Sequence, residues 1–156
     1  MPTTKQSHPE VDVLLRYCEE QWNHIRHLEN QRATFTNLVL VIAVGVIGFI
    51  TQKGISIAIL PLTIALMVLG LYGAFASYKF YERYKLHKAL EDVWLDEVDR
   101  LLPKAKLKKL GQQAGEQHKQ RFRITSRVHV HTVWITFNIL IALAGTLLTL
   151  FGLGII

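Results

Sequence analysis

Three stretches without a single charged side chain decide what this chain can fold into. Arg32 and Lys53 bracket 20 residues, 33–52, with no Asp, Glu, Lys or Arg; Lys53 and Lys79 bracket another 25, and the 29 residues after Arg127 carry none. Helices buried in a water-soluble core seldom run past about 14 apolar residues without a charge, whereas roughly 20 are needed to cross some 30 Å of hydrocarbon. These windows make up nearly half of the 156 residues, and the remainder cannot supply the polar surface to bury three such helices in water. With 50% hydrophobic residues and one Cys, a disordered chain and a disulfide-stapled module are excluded as well. The expected class is all-α and integral to a membrane, with three transmembrane helices and cytoplasmic helical extensions.

The expected division is a cytoplasmic amphipathic helix over 1–32, spans at 33–52 and 55–78, a cytoplasmic helix over 79–102, a basic loop and helix over 103–127, and a third span over 130–156. Pro61 makes 55–60 a candidate interfacial turn ahead of the second span. The first 32 residues are polar, so the first span is expected to insert uncleaved. Basic residues set the orientation: four lie in 1–32, thirteen in 79–127, and only Lys53 in the turn between the first two spans. The positive-inside rule then puts the N-terminus and 79–127 in the cytoplasm and the C-terminus outside, in a cell inner membrane. Cys18 falls on the cytoplasmic side, where no disulfide is expected.

Ser7 to Glu10 fits a capping box, with Pro9 in the first turn. Val11, Leu14, Cys18, Trp22, Ile25 and Leu28 then recur every three or four residues, an amphipathic stripe with no Gly or Pro before the first span. Phe80, Tyr84, His87, Trp94, Val98 and Leu101 form a second stripe after the second span. Two such stripes outside a membrane should pack on each other. Between Pro103 and the Gly111/Gly115 pair lies the cluster Lys104, Lys106, Lys108 and Lys109, expected as a loop or a short mobile helix, with a further helix starting near Glu116 and running through Arg121, Arg123 and Arg127 into the third span. This basic patch suits either anionic headgroups or a solvated loop that fixes topology, and we favour the second; nucleic acid is not an expected partner.

Signs of catalysis are absent from the sequence. It has no phosphate-binding Gly loop, no CxxC, no HExxH and no Gly-x-Ser-x-Gly elbow. His24 and His27, or His129 and His131, pair without a carboxylate or Cys at ligand spacing, so no metal and no cofactor is expected. Arg123 and His129 match the Arg-x(4–6)-His spacing of HEPN-type ribonucleases, a match expected about once by chance in a chain of this composition. The expectation is a protein that is not an enzyme.

Within the spans the notable residues are amides and glycines. Asn37 and Asn138 are candidates for pore or inter-helix polar contacts, since an amide facing lipid loses its hydrogen bonds. A mutual Asn37–Asn138 hydrogen bond joining the first and third spans is the plainer alternative. Gly45, Gly48, Gly70, Gly73 and Gly145 are candidate helix-packing positions, several at small-xxx-small spacing with Ala74, Ser77 or Thr149. Three spans cannot enclose a conduit alone, so transport would require a homo-oligomer.

A short N-terminal helix, two closely spaced spans and a long cytoplasmic helix, over residues 8–102, together resemble the SLATT-type proteins. That resemblance implies a small bacterial membrane effector of antiphage defence, inferred to form pores and triggered through its cytoplasmic helices by a signalling or defence partner. A weaker likeness is to membrane accessory proteins of RNA-targeting CRISPR systems, for which Arg123 and His129 would matter. The expected function is thus a homo-oligomeric, pore-type membrane effector whose partners are itself, the lipid bilayer and a cytoplasmic defence protein. The alternatives are a non-conducting subunit that docks a cytoplasmic partner and a membrane-tethered nuclease.

Overall fold

The computed structural model describes residues 9–123 and 125–155, with Arg127 known by its backbone alone. The proposed capping residue Ser7 lies outside the described residues. Helix accounts for 90% of the described residues, and no strand forms among them. The helices are α1 (Pro9–Lys53), α2 (Leu60–Leu101), α3 (Leu107–Arg121) and α4 (Val130–Gly152). Three of them, α1, α2 and α4, are long and apolar enough to cross a membrane.

At 1.5 Å per residue, the 45 residues of α1 and the 42 of α2 each run well over 50 Å, about twice the thickness of a hydrocarbon core. Neither breaks where apolar sequence gives way to polar, so the helices expected over 1–32 and 79–102 continue the apolar segments as parts of α1 and α2. Residues 54–59 turn the chain: Gly54 adopts φ +77, and a short 3-10 turn (Ile57–Ile59) leads into α2, with Pro61 in its first turn.

The basic segment takes the helical one of its two expected forms, but its bounds differ from those expected. Helix α3 begins at Leu107, not near Glu116, and ends at Arg121, so it does not continue into the third span. Gly111 and Gly115 lie inside it. A second 3-10 turn (Thr125–Arg127) separates it from α4. The early start has a tertiary cause: the carboxylate of Asp99 in α2 accepts the backbone N–H groups of Leu107 (2.7 Å) and Lys108 (2.9 Å). Those are orphan donors of a helix N-terminus, normally satisfied by the residue just before the helix. Here that residue is Lys106, left-handed at φ 50 and without a side-chain cap.

The chain divides into two compact units. Residues up to Leu28 join Arg83–Arg127 in one, and Glu29–Glu82 join Val128–Ile156 in the other. The second unit holds the apolar core of Val39, Ala43, Leu66 and Ile141, packed by Phe35, Val46, Leu69, Phe137 and Leu148. In the first unit, Val11, Cys18, Ile25, Leu28 and Val98 are buried.

Candidate functional site

In the unit built on the apolar helices, α2 and α4 meet backbone to backbone. An added Cβ at Gly70 would stand 2.7 Å from the Asn138 carbonyl oxygen and 2.8 Å from the Ala142 Cα. One at Gly145 would stand 2.5 Å from the Met67 nitrogen and 3.0 Å from the Thr63 carbonyl oxygen. Glycine is required at both because only its missing side chain lets the axes come this close. Gly152 continues the seam toward Leu60.

The same seam carries the polar groups. Asn138 is fully buried; its Nδ2 donates to the Trp134 carbonyl (2.8 Å) and, at 3.4 Å, to the Ser77 hydroxyl. Its Oδ1 sits over Gly73, where an added Cβ would collide with it, and has no hydrogen-bond partner among the described residues; neither has the buried Trp134 Nε1. About one turn beyond Gly145, the Thr149 hydroxyl donates to the Thr63 hydroxyl at 2.9 Å. Asn138 therefore joins α4 to α2. The mutual Asn37–Asn138 bond between the first and third spans does not form: Asn138 is committed to this seam, and Asn37 is exposed.

Gly45 and Gly48 behave differently from the other three. An added Cβ at either meets nothing within 4 Å. As packing positions within the chain they are corrected: they are open. Successive residues of a helix turn by about 100°, and α1 buries Thr36, Val39, Ala43 and Ile50 on one side. Thr34, Asn37, Val41, Gly45, Gly48 and Gln52 fall on the opposite side, and all six are exposed. This half of α1 thus has a packed apolar face and an open face bearing an amide and two bare glycines.

The other unit is held by more polar contacts than its stripes suggested. Gln21 is buried where the sequence placed Trp22, and Glu91 is buried beside Val98. Trp22 is half out, with the Lys88 ammonium 5.6 Å from its ring. Lys88 donates to Glu91 at 2.8 Å; burial pulls its pKa down, but this hydrogen bond and the nearby carboxylates leave it above the usual lysine value. Gln21 Oε1 and His87 Nδ1 are 2.8 Å apart, and the His24 and His87 rings stack at 4.9 Å. Burial, His24 and Arg83 hold His87 below the ordinary imidazole value. Burial, then Glu91, push the Cys18 thiol up, so it is a poor nucleophile.

The basic residues lie in the turn before α3, along α3 and in the turns after it. Lys108 pairs with Asp96 at 2.6 Å, while Lys104, Lys106, Lys109, Arg121 and Arg123 are exposed, and the side chain of Arg127 lies outside the described residues. Arg123 is in the turn after α3, and His129 precedes α4, its ring 5.5 Å from that of His131. Among the described residues no group of three or more His, Cys, Asp or Glu is arranged to hold a metal.

These features define a class, an all-helical protein with three membrane-capable helices, one of them with an open, amide-bearing face. No family model, curated protein or solved structure matches the chain.

Proposed function

We propose that this protein is a homo-oligomeric membrane effector of the pore-forming type, set in an inner membrane with its N-terminus cytoplasmic and its C-terminus external. The observation that supports assembly is the open face of α1, with Asn37, Gly45 and Gly48 opposite the packed side. Left against hydrocarbon, the Asn37 amide would forfeit its hydrogen bonds at a cost of about 2–4 kcal/mol. A second copy of α1 removes that cost, because an amide both donates and accepts and bare glycines permit close approach. In an assembly of several copies, the same amide can instead line a water-filled path. Neither role needs catalysis or a cofactor. The antiphage setting, and a trigger received through the cytoplasmic helices, rest on the architectural resemblance to SLATT-type proteins.

Reconstituted in liposomes, the wild-type oligomer should release a trapped dye, and Asn37→Leu should cut the release severalfold while Asn138→Leu acts through folding. Intact oligomers that never leak, even with a genomic partner present, would replace this reading with a non-conducting subunit that docks a cytoplasmic protein. The feature that favours that second reading is an open, mostly apolar groove between α1 and α2, lined by Val13, Leu14 and Leu101.

A further inference from the structure

Residues 104–123 hold seven of the chain's 18 basic residues and only one of its 12 acidic ones, so their excess of six equals the net charge of the whole protein. The rest of the chain is neutral. In the structure this segment is built around α3, none of whose 15 residues is buried. A segment that only fixes topology needs a number of charges and no particular arrangement of them. The end of α3 does have an arrangement.

The helix closes at Arg121, and Phe122 follows as its C-cap, its N–H donating to the His118 carbonyl at 2.9 Å. The Phe122 ring is 45% exposed, lies 4.9 Å from the His118 ring and has the Arg121 guanidinium 5.8 Å from its centre. Because successive residues turn by about 100°, Arg121 falls in line with Leu110 and Ala114 on the apolar side of α3. Arg123 follows the ring directly. Both arginines are exposed, and among the described residues neither is in an ion pair. An exposed phenyl ring with a guanidinium before and after it is amphipathic within three residues. Such a ring can enter the interfacial zone of a bilayer while the long cationic side chains reach phosphates.

The chain also holds this tripeptide near a membrane surface. Helix α4 has 23 residues, about 34 Å, which leaves little beyond a hydrocarbon core of some 30 Å. A crossing helix of that length starts at the headgroups. Between Phe122 and the first residue of α4, Val130, the Ser126 N–H donates to the Phe122 carbonyl at 2.8 Å, closing a turn. Only four residues then remain, so Phe122 is tethered within roughly 20 Å of Val130.

We propose that Arg121, Phe122 and Arg123 form a binding site for anionic phospholipid headgroups at the membrane surface where α4 enters. The two guanidinium forks match headgroup phosphates, and the ring seats between them in the glycerol zone. The proposal rests on the reading that α4 spans the membrane, and it adds a lipid class that the protein selects.

The test uses the full-length protein in mild detergent, offered equal amounts of phosphatidylglycerol and phosphatidylcholine and examined by native mass spectrometry. Wild type should retain phosphatidylglycerol at least about fivefold over phosphatidylcholine, the factor that a single surface cation supplies at an anionic leaflet. Arg121→Gln/Arg123→Gln should bring the two lipids to within about twofold of each other. Lys104→Gln/Lys109→Gln removes the same charge; Lys109 is about 18 Å from Arg121 along α3, more than two Debye lengths, so that variant should keep the preference. All four positions are exposed, so folding is spared. For the ring, Phe122→Cys in a Cys18→Ser chain is labelled with the fluorophore NBD and set in nanodiscs. Its emission should move to the blue when phosphatidylglycerol joins phosphatidylcholine, and the two arginine substitutions should abolish the shift. Equal retention of both lipids by wild type overturns the site, as does equal loss of preference in both double variants, which shows a diffuse charge effect. Displacement of phosphatidylglycerol by excess inorganic phosphate or by single-stranded RNA assigns the arginines to a soluble anion and also overturns it. In those cases resistance of wild type to carbonate extraction leaves the α4 span standing, whereas release by carbonate overturns both.

Discussion

At Gly145 a single methyl group has nowhere to go. Its Cβ would press on the backbone of Met67, which cannot move without separating α2 from α4. Gly145→Ala should therefore cost about 1–3 kcal/mol of stability by overpacking, seen as a lower melting temperature in detergent. Gly45→Ala, in open space, should leave that temperature unchanged for the protomer. Sequence spacing separates them only in part: Gly145 has Thr149 at small-xxx-small spacing and Gly45 has no such partner, but periodicity does not say what packs there. His87 is the other residue whose surroundings set a measurable property. Burial, His24 and Arg83 hold its pKa below 6.5 in the fold, so the unfolded chain takes up a proton more readily. Its neutral form is intact above about pH 6.5, and stability is lost as pH falls below that value. Urea unfolding followed by tryptophan fluorescence should give a lower midpoint at pH 5.5 than at pH 7.5, and His87→Gln should flatten the difference.

Among the elements, α3 shows where sequence reasoning stops. Its start was invisible because the cap comes from Asp99, eight residues upstream in another helix, while local rules look for it at Lys106, a poor cap in a left-handed conformation. Asp99→Ala should remove about 1 kcal/mol from the N-terminus of α3. Hydrogen exchange at Leu107 and Lys108 should quicken, with little change in α4. The long helices were more legible. Apolar windows and unbroken periodicity located α1, α2 and α4, because spans are specified by composition over some twenty residues and need no distant partner. The helix pair of the first unit was half legible: the stripes found Val11, Cys18, Ile25 and Val98, but Gln21 and Glu91 entered the core because His87 and Lys88 satisfy them. Polar core residues are paired by tertiary contacts that no hydrophobic pattern encodes.

At the scale of the whole molecule, α1 has one side that its own chain covers and one left open, against which the proposed assembly would set another copy. The Asn138 seam and the Thr63–Thr149 bond fasten α4 to α2 and leave the α1 face untouched. In the proposed assembly, neighbouring copies would meet at that face with matching depth, since identical chains would insert the same way. The direct measurement is a cysteine scan of residues 34–52 in a Cys18→Ser background, oxidised in native membranes and resolved for dimer. Cross-linking should peak at 34, 37, 41, 45 and 48, repeating every three to four residues, and fall to background at 36, 39 and 43, which the protomer already buries. Uniform absence of dimer along the scan, or a peak at 39 and 43, would contradict assembly through this face.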